Sequence, residues 1–73
     1  MTFPESEYFQ AHNYAVNQAR KFNQCYGIEK MNQFGKKVFS VKMIPNNPDK
    51  RFGWELRCEV VTPESPLFQI ENQ

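Results

Sequence analysis

The sequence predicts an α+β fold: one long N-terminal α-helix packed on one face of a small antiparallel sheet of two to three strands. Three observations lead there. Apolar residues recur at helical steps through the N-terminal segment, the period changes to two after Gly35, and Pro63 and Pro66 close the second alternating run.

The helix is expected over about residues 3–26. Thr2 reads as its N-cap, Pro4 as a first-turn residue whose missing N–H is harmless, and Glu5 as the partner that closes a capping box. Tyr8, Ala11, Ala15, Ala19, Phe22 and Tyr26 then follow at three- and four-residue spacing, which places them on one helix face. Gln10, Asn13, Asn17, Arg20, Lys21 and Gln24 fill the opposite face. Gly27 is read as a left-handed C-cap with Ile28 as its hydrophobic contact. Small alanines in mid-stripe let the helix approach a sheet closely.

Strands are expected over about 37–44 and 54–62. In the first, Phe39, Val41 and Met43 alternate with Ser40 and Lys42; in the second, Trp54, Leu56, Cys58 and Val60 alternate with Glu55, Arg57 and Glu59. Pairing Met43 with Trp54 sets Lys42 opposite Glu55, and the next register would set Lys42 against Arg57, so charge selects the first. Residues 28–34 are a further strand candidate, with Asn32 to Gly35 as its turn. A C-terminal tail covers 63–73, where Phe68 and Ile70 would either add an edge strand or drape over the helix.

Composition narrows the function. The 73 residues are expected to form a single domain, close to the size at which a core alone seldom stabilises a fold. With 40% hydrophobic and 15% aromatic residues the chain is globular rather than disordered. Each aromatic ring can remove about 150–250 Å² from water, so most are expected in the core. A net charge of +1 gives no global field to draw the protein onto nucleic acid or acidic lipid. The N-terminus lacks a basic segment leading into an apolar run, and no run approaches bilayer length. A chain complete from Met1, cytoplasmic and without membrane contact, is the expectation. Cys25 and Cys58 lack the spacing of a redox or zinc pair and are expected as buried, reduced thiols, with a single helix-to-sheet disulfide as the alternative.

Catalysis needs convergent groups, and few are present. His12 is the one histidine and lies at the edge of the apolar stripe, where a core position explains it better than a general base. Asp49 beside Pro48 reads as a turn residue. Glu55 and Glu59, with Arg57 between them, read as a solvated, cross-paired surface. Neither a phosphate-cradling glycine loop nor a metal-ligand cluster can be traced, so a non-enzyme without catalytic residues, cofactor or metal is expected.

The connection Pro45 to Gly53 is longer than the usual hairpin loop and ends in cations and aromatics. Lys50, Arg51 and Phe52 are the residues expected to reach a partner, and Trp54 is expected to turn into the core. The dyads Arg20-Lys21 and Lys36-Lys37 each lie near an aromatic and extend the candidate surface. Lys50, Phe52, Gly53 and Trp54, within KRFGWEL, partly resemble the ribonucleoprotein-1 signature of RNA-recognition motifs and cold-shock domains. Arg51 and Glu55 depart from that signature, and the helix-first order departs from the RNA-recognition fold, so the likeness assigns no family.

The leading expectation is a small protein-binding module that inhibits or adapts a larger host complex, protein or ribonucleoprotein, of the kind viruses and mobile elements encode. Arginine and aromatic residues are common hot-spot types, and an open sheet edge accepts a strand. The first alternative is a nucleic-acid binder using residues 50–54. The second is a structural homo-oligomer, a homodimer for example, that buries an outward sheet face carrying Val38, Ile44 and Val61.

Overall fold

The computed structural model describes residues 1–69. Strand β1 (Thr2–Pro4) leads through a 3₁₀ turn (Glu5–Glu7) into helix α1 (Tyr8–Phe22). Strands β2 (Tyr26–Gln33) and β3 (Lys36–Met43) form a hairpin, followed by helix α2 (Pro48–Glu55) and strand β4 (Glu59–Val61). The sheet is antiparallel with strand order β1-β3-β2-β4. The α+β class and the helix lying on one sheet face are as expected, with four strands in place of two or three.

Helix α1 begins later than the sequence suggests. Thr2, Phe3 and Pro4 pair with Ser40, Phe39 and Val38, and the Val41 N–H donates to the Met1 carbonyl at 2.8 Å. Edge pairing satisfies backbone groups along β3 that a helical start at Thr2 would leave open. Phe3 also gains the Tyr14 ring at 5.6 Å. At the other end Asn23, not Gly27, takes the left-handed cap position at φ 51°, and its N–H bonds the Ala19 carbonyl. Asparagine tolerates that conformation, so the chain turns four residues early and Tyr26 becomes the first residue of β2.

Ala11, Ala15, Val16 and Ala19 are fully buried against Tyr26, Ile28, Val41 and Val61, with Phe3, Tyr8, Tyr14 and Phe39 packed around them. Phe22, placed in this stripe by periodicity, is exposed at the helix end. The chain after β4 drapes over α1. Arg20 donates to the carbonyls of Pro63 (3.2 Å) and Ser65 (2.9 Å), and the Asn13 amide pairs with both backbone groups of Phe68 at 2.9 and 2.8 Å. Phe68 thereby covers His12, with ring centroids 4.3 Å apart. Ile70 lies outside the described residues.

The segment expected as strand 54–62 divides into the end of α2, a turn and the short β4. Met43 pairs with Tyr26 rather than Trp54, and β4 pairs with β2 rather than β3. An Asn-Pro-Asp start explains α2: the Asp49 N–H donates to Asn47 Oδ1 at 2.9 Å and Pro48 fills the first turn. Val61 faces α1 and is buried, so the alternation is one residue out of phase with the expected one. Ile44 is likewise core, at 2% exposure. Of the three residues assigned to an outward dimer face, Val61 faces α1, whereas Val38 and Ile44 stand on the sheet face away from α1, Val38 half-buried and Ile44 buried beside Gly27 and Cys58.

Candidate interaction surface

The described residues enclose no pocket, and none of their His, Cys, Asp and Glu side chains gather in a group of three or more that could hold a metal. His12 is buried with aromatic rings around it, and its Nδ1 has no hydrogen-bond partner among the described residues. Cys25 and Cys58 are free and buried. Burial raises the Cys58 thiol pKa, with the Glu29 carboxylate adding to the shift. Glu55 and Glu59 do not share a face: Glu55 bonds Arg51 at 3.0 Å within α2, whereas Glu59 accepts from the Tyr8 hydroxyl across to α1. Burial and that hydrogen bond together raise the Tyr8 pKa.

The expected partner residues fall into groups with different duties. Arg20 is committed to the chain after β4, as described. Arg51 turns inward from α2, donating to Asn46 O at 3.1 Å and to Cys25 Sγ at 3.3 Å. Trp54 is half-buried, with Lys42 Nζ and Arg57 Cζ over its ring at 5.8 and 4.7 Å. Those cations both bridge Glu29, at 2.6 and 3.6 Å. The ring that completes the resemblance to a base-stacking signature therefore already has cationic partners inside the fold.

Lys50 and Phe52 remain on the outer side of α2. Phe52 is 65% exposed and Leu56, one turn on, is 74% exposed. Residues four apart share a helix face, so the two present a paired apolar surface to solvent. No residue of α2 is buried. Leu56, expected in a strand core, is instead an exposed apolar residue; its signal is the four-residue step from Phe52 once the Asn47 cap is read as a helix start. The end of α1 lies beside the entry to α2, tied by Asn46 to the Cys25 N–H (2.7 Å) and the Asn23 carbonyl (3.4 Å). Lys21, 5.4 Å over the Phe22 ring, thus sits at the same end of the sheet.

Lys36 and Lys37 stand at the other end. They follow the β2–β3 turn, in which Phe34 (φ 54°) and Gly35 (φ 79°) occupy the two central positions. Positive φ at both is the requirement of a type I′ hairpin turn, normally met by Asn-Gly or Gly-Gly. A phenylalanine there stores backbone strain on the order of 1–3 kcal/mol. It is also 98% exposed, so it gains no burial within the fold to offset that strain. Phe34 is a further residue missed by sequence reading, which identified the turn but not the anomaly of its occupant.

Comparison with family models, curated proteins and solved structures finds no match to this chain.

The Glu29 cluster has a pH consequence. The Lys42 hydrogen bond, with the charges of Lys42 and Arg57, holds the Glu29 pKa below its ordinary 4.5 against an opposing effect of burial. A depressed folded-state pKa contributes stability that is complete above the unfolded value and is lost as the pH falls through the folded one. Thermal unfolding between pH 7 and pH 3 should therefore show a falling midpoint below the ordinary glutamate range. The Glu29→Gln protein should follow a flatter profile; an unchanged slope would remove Glu29 as its source.

Proposed function

We propose that the protein is a non-enzymatic protein-binding module that inhibits or adapts a larger host complex, of viral or mobile-element type, and that it docks through the outer face of α2. The observation that carries this reading is the exposed Phe52–Leu56 pair on a helix anchored by Arg51 and Trp54 on its other side. An apolar i, i+4 pair is the anchor spacing of helix-in-groove recognition, and Lys50 beside it supplies charge at the rim. The nucleic-acid alternative has less support, because Trp54 is engaged within the fold and the basic dyads stand at opposite ends of the sheet. The homo-oligomer has less still, since Ile44 and Val61 are already buried.

Gly53 makes a selective test available. A Cβ built there meets nothing within 4 Å, so Gly53→Ala fits and should favour the helical state of α2 by about 1 kcal/mol. Tagged full-length protein purified from its native host, with nuclease treatment, should bring down a stoichiometric protein partner. Phe52→Ser with Leu56→Ser should weaken that binding by at least about tenfold, as loss of a hot spot does, while Gly53→Ala preserves or tightens it. Binding unaffected by the double substitution, or abolished by nuclease, would defeat the reading.

A further inference from the structure

The tip of the β2–β3 hairpin combines strain, exposure and charge in a way the fold itself does not require. β4 accompanies β2 only over Tyr26–Ile28, and β1 accompanies β3 only over Val38–Ser40. From Asn32 to Lys37 the hairpin is a two-stranded ribbon, with two further rungs at about 3.4 Å each beyond Val38 and then the turn. Phe34 at its end meets the worst combination for stability: a bulky side chain in the left-handed region, with its ring in water. Asparagine would satisfy the same turn without that strain.

We propose that Phe34 is an anchor that inserts into an apolar pocket, rimmed by carboxylates, on the partner protein. This deepens the protein-binding reading, and it adds a contact at the opposite end of the sheet from α2. The rim chemistry follows from residues 30–37, which include Lys30, Lys36 and Lys37 and no carboxylate. Lys30 is bridged to Glu5 at 2.9 Å, while Lys36 and Lys37 make no ion pair among the described residues. The apolar part continues onto the outer sheet face, where Met31 pairs with Val38 and Val38 with Pro4. Aliphatic neighbours suit a protein pocket. A nucleic-acid contact of useful affinity would call for more phosphate-neutralising cations than two unpaired lysines.

Opposite movements in two measurements test the proposal. Phe34→Asn should raise the thermal midpoint, because the turn is relieved, and should weaken partner binding by about tenfold or more, because the anchor is gone. Destabilisation cannot mimic that pair of results. Lys36→Glu with Lys37→Glu should slow association and weaken its salt dependence. A benzophenone-bearing phenylalanine analogue at position 34 of the full-length protein, irradiated in the native host, should crosslink to a partner peptide containing Asp or Glu. Full binding by Phe34→Asn, or a position-34 crosslink to nucleic acid in place of protein, would overturn the proposal. If Phe52→Ser/Leu56→Ser abolishes capture while Phe34→Asn does not, the hairpin anchor fails and the α2 reading stands. The reverse outcome moves the interface to the hairpin.

Discussion

Replacing Ile44 with alanine is expected to destabilise the protein by roughly 2–5 kcal/mol, the range for truncating a buried aliphatic side chain to its Cβ. Ile44 is 2% exposed. Its N–H donates to Cys25 O at 3.0 Å, and its carbonyl accepts from Gln24 Nε2 at 2.7 Å. Both backbone groups hold the residue in place after the side chain is cut away, so the cavity persists. For a chain of 73 residues total stability is on the order of 4–11 kcal/mol, so this one change removes a large share of it. In a domain this small a 3 kcal/mol loss lowers the thermal midpoint by roughly 12–24 °C. Urea unfolding of Ile44→Ala beside Val38→Ala, a half-buried residue expected to lose far less, provides the comparison. Equal midpoints for the two would mean that burial of Ile44 contributes no more to stability than the half-burial of Val38.

Strand β3, which carries Val38, also marks where sequence reasoning succeeded. Phe39 and Val41 were placed inward because a long strand with clean alternation fixes its own faces, and the structure packs both against α1. The alanine stripe was equally legible: three alanines at helical spacing flanked by aromatics have few other uses, and Ala11, Ala15 and Ala19 are wholly buried. Local rules failed where long-range pairing decided. Thr2-Phe3-Pro4-Glu5 has the residues of a helix cap, yet the free edge of β3 recruits it as a strand. Nothing near Thr2 in sequence records that edge.

Residues 45–62 were harder still. Trp54 to Val61 alternates well enough to suit a strand, and Gly53 interrupts the helical pattern that Asn47, Pro48 and Asp49 initiate. Two short signals overlap there, and tertiary contacts choose between them: Arg51 reaches Cys25 Sγ and Trp54 receives Lys42 and Arg57 once the segment is helical. The phase error at β4 followed, which exchanged Val60 for Val61 in the core. At the candidate surface, Lys50 and Phe52 were visible as exposed residues because a loop ending in cations seldom packs inward, a rule that Arg51 between them breaks by reaching Asn46 O and Cys25 Sγ. Phe34 was not, because the penalty it carries resides in φ, a quantity composition does not express.

Gly27→Val should be among the most damaging single substitutions in the sheet, at about 3 kcal/mol, the upper end of ordinary overpacking costs. Gly27 lies in β2 between Lys42 of β3 and Val60 of β4. A Cβ added there would meet Cys58 Cβ at 3.0 Å, Cys58 Sγ at 3.2 Å and Ile44 Cγ2 at 3.2 Å. Valine adds two methyl groups to that collision, and its strand propensity cannot compensate for space that is absent. The strain has an unequal outlet. Ile44 is fixed by two backbone hydrogen bonds, whereas Cys58 has one, from its N–H to Trp54 O at 2.7 Å, and lies between a helix with no buried residue and a three-residue edge strand. Cys58 should therefore be the group that moves. Its thiol, buried and with a raised pKa in the native protein, should react with maleimide slowly before the substitution and quickly after it, in mass-spectrometric mapping under native conditions. A large loss of stability with Cys58 still protected would shift the strain onto Ile44 and the β3 side, and would make the path from Ile44 through Gly27 the rigid spine of the sheet. A loss below about 1 kcal/mol would mean that β4 yields freely, so that the close approach at Gly27 contributes little to stability.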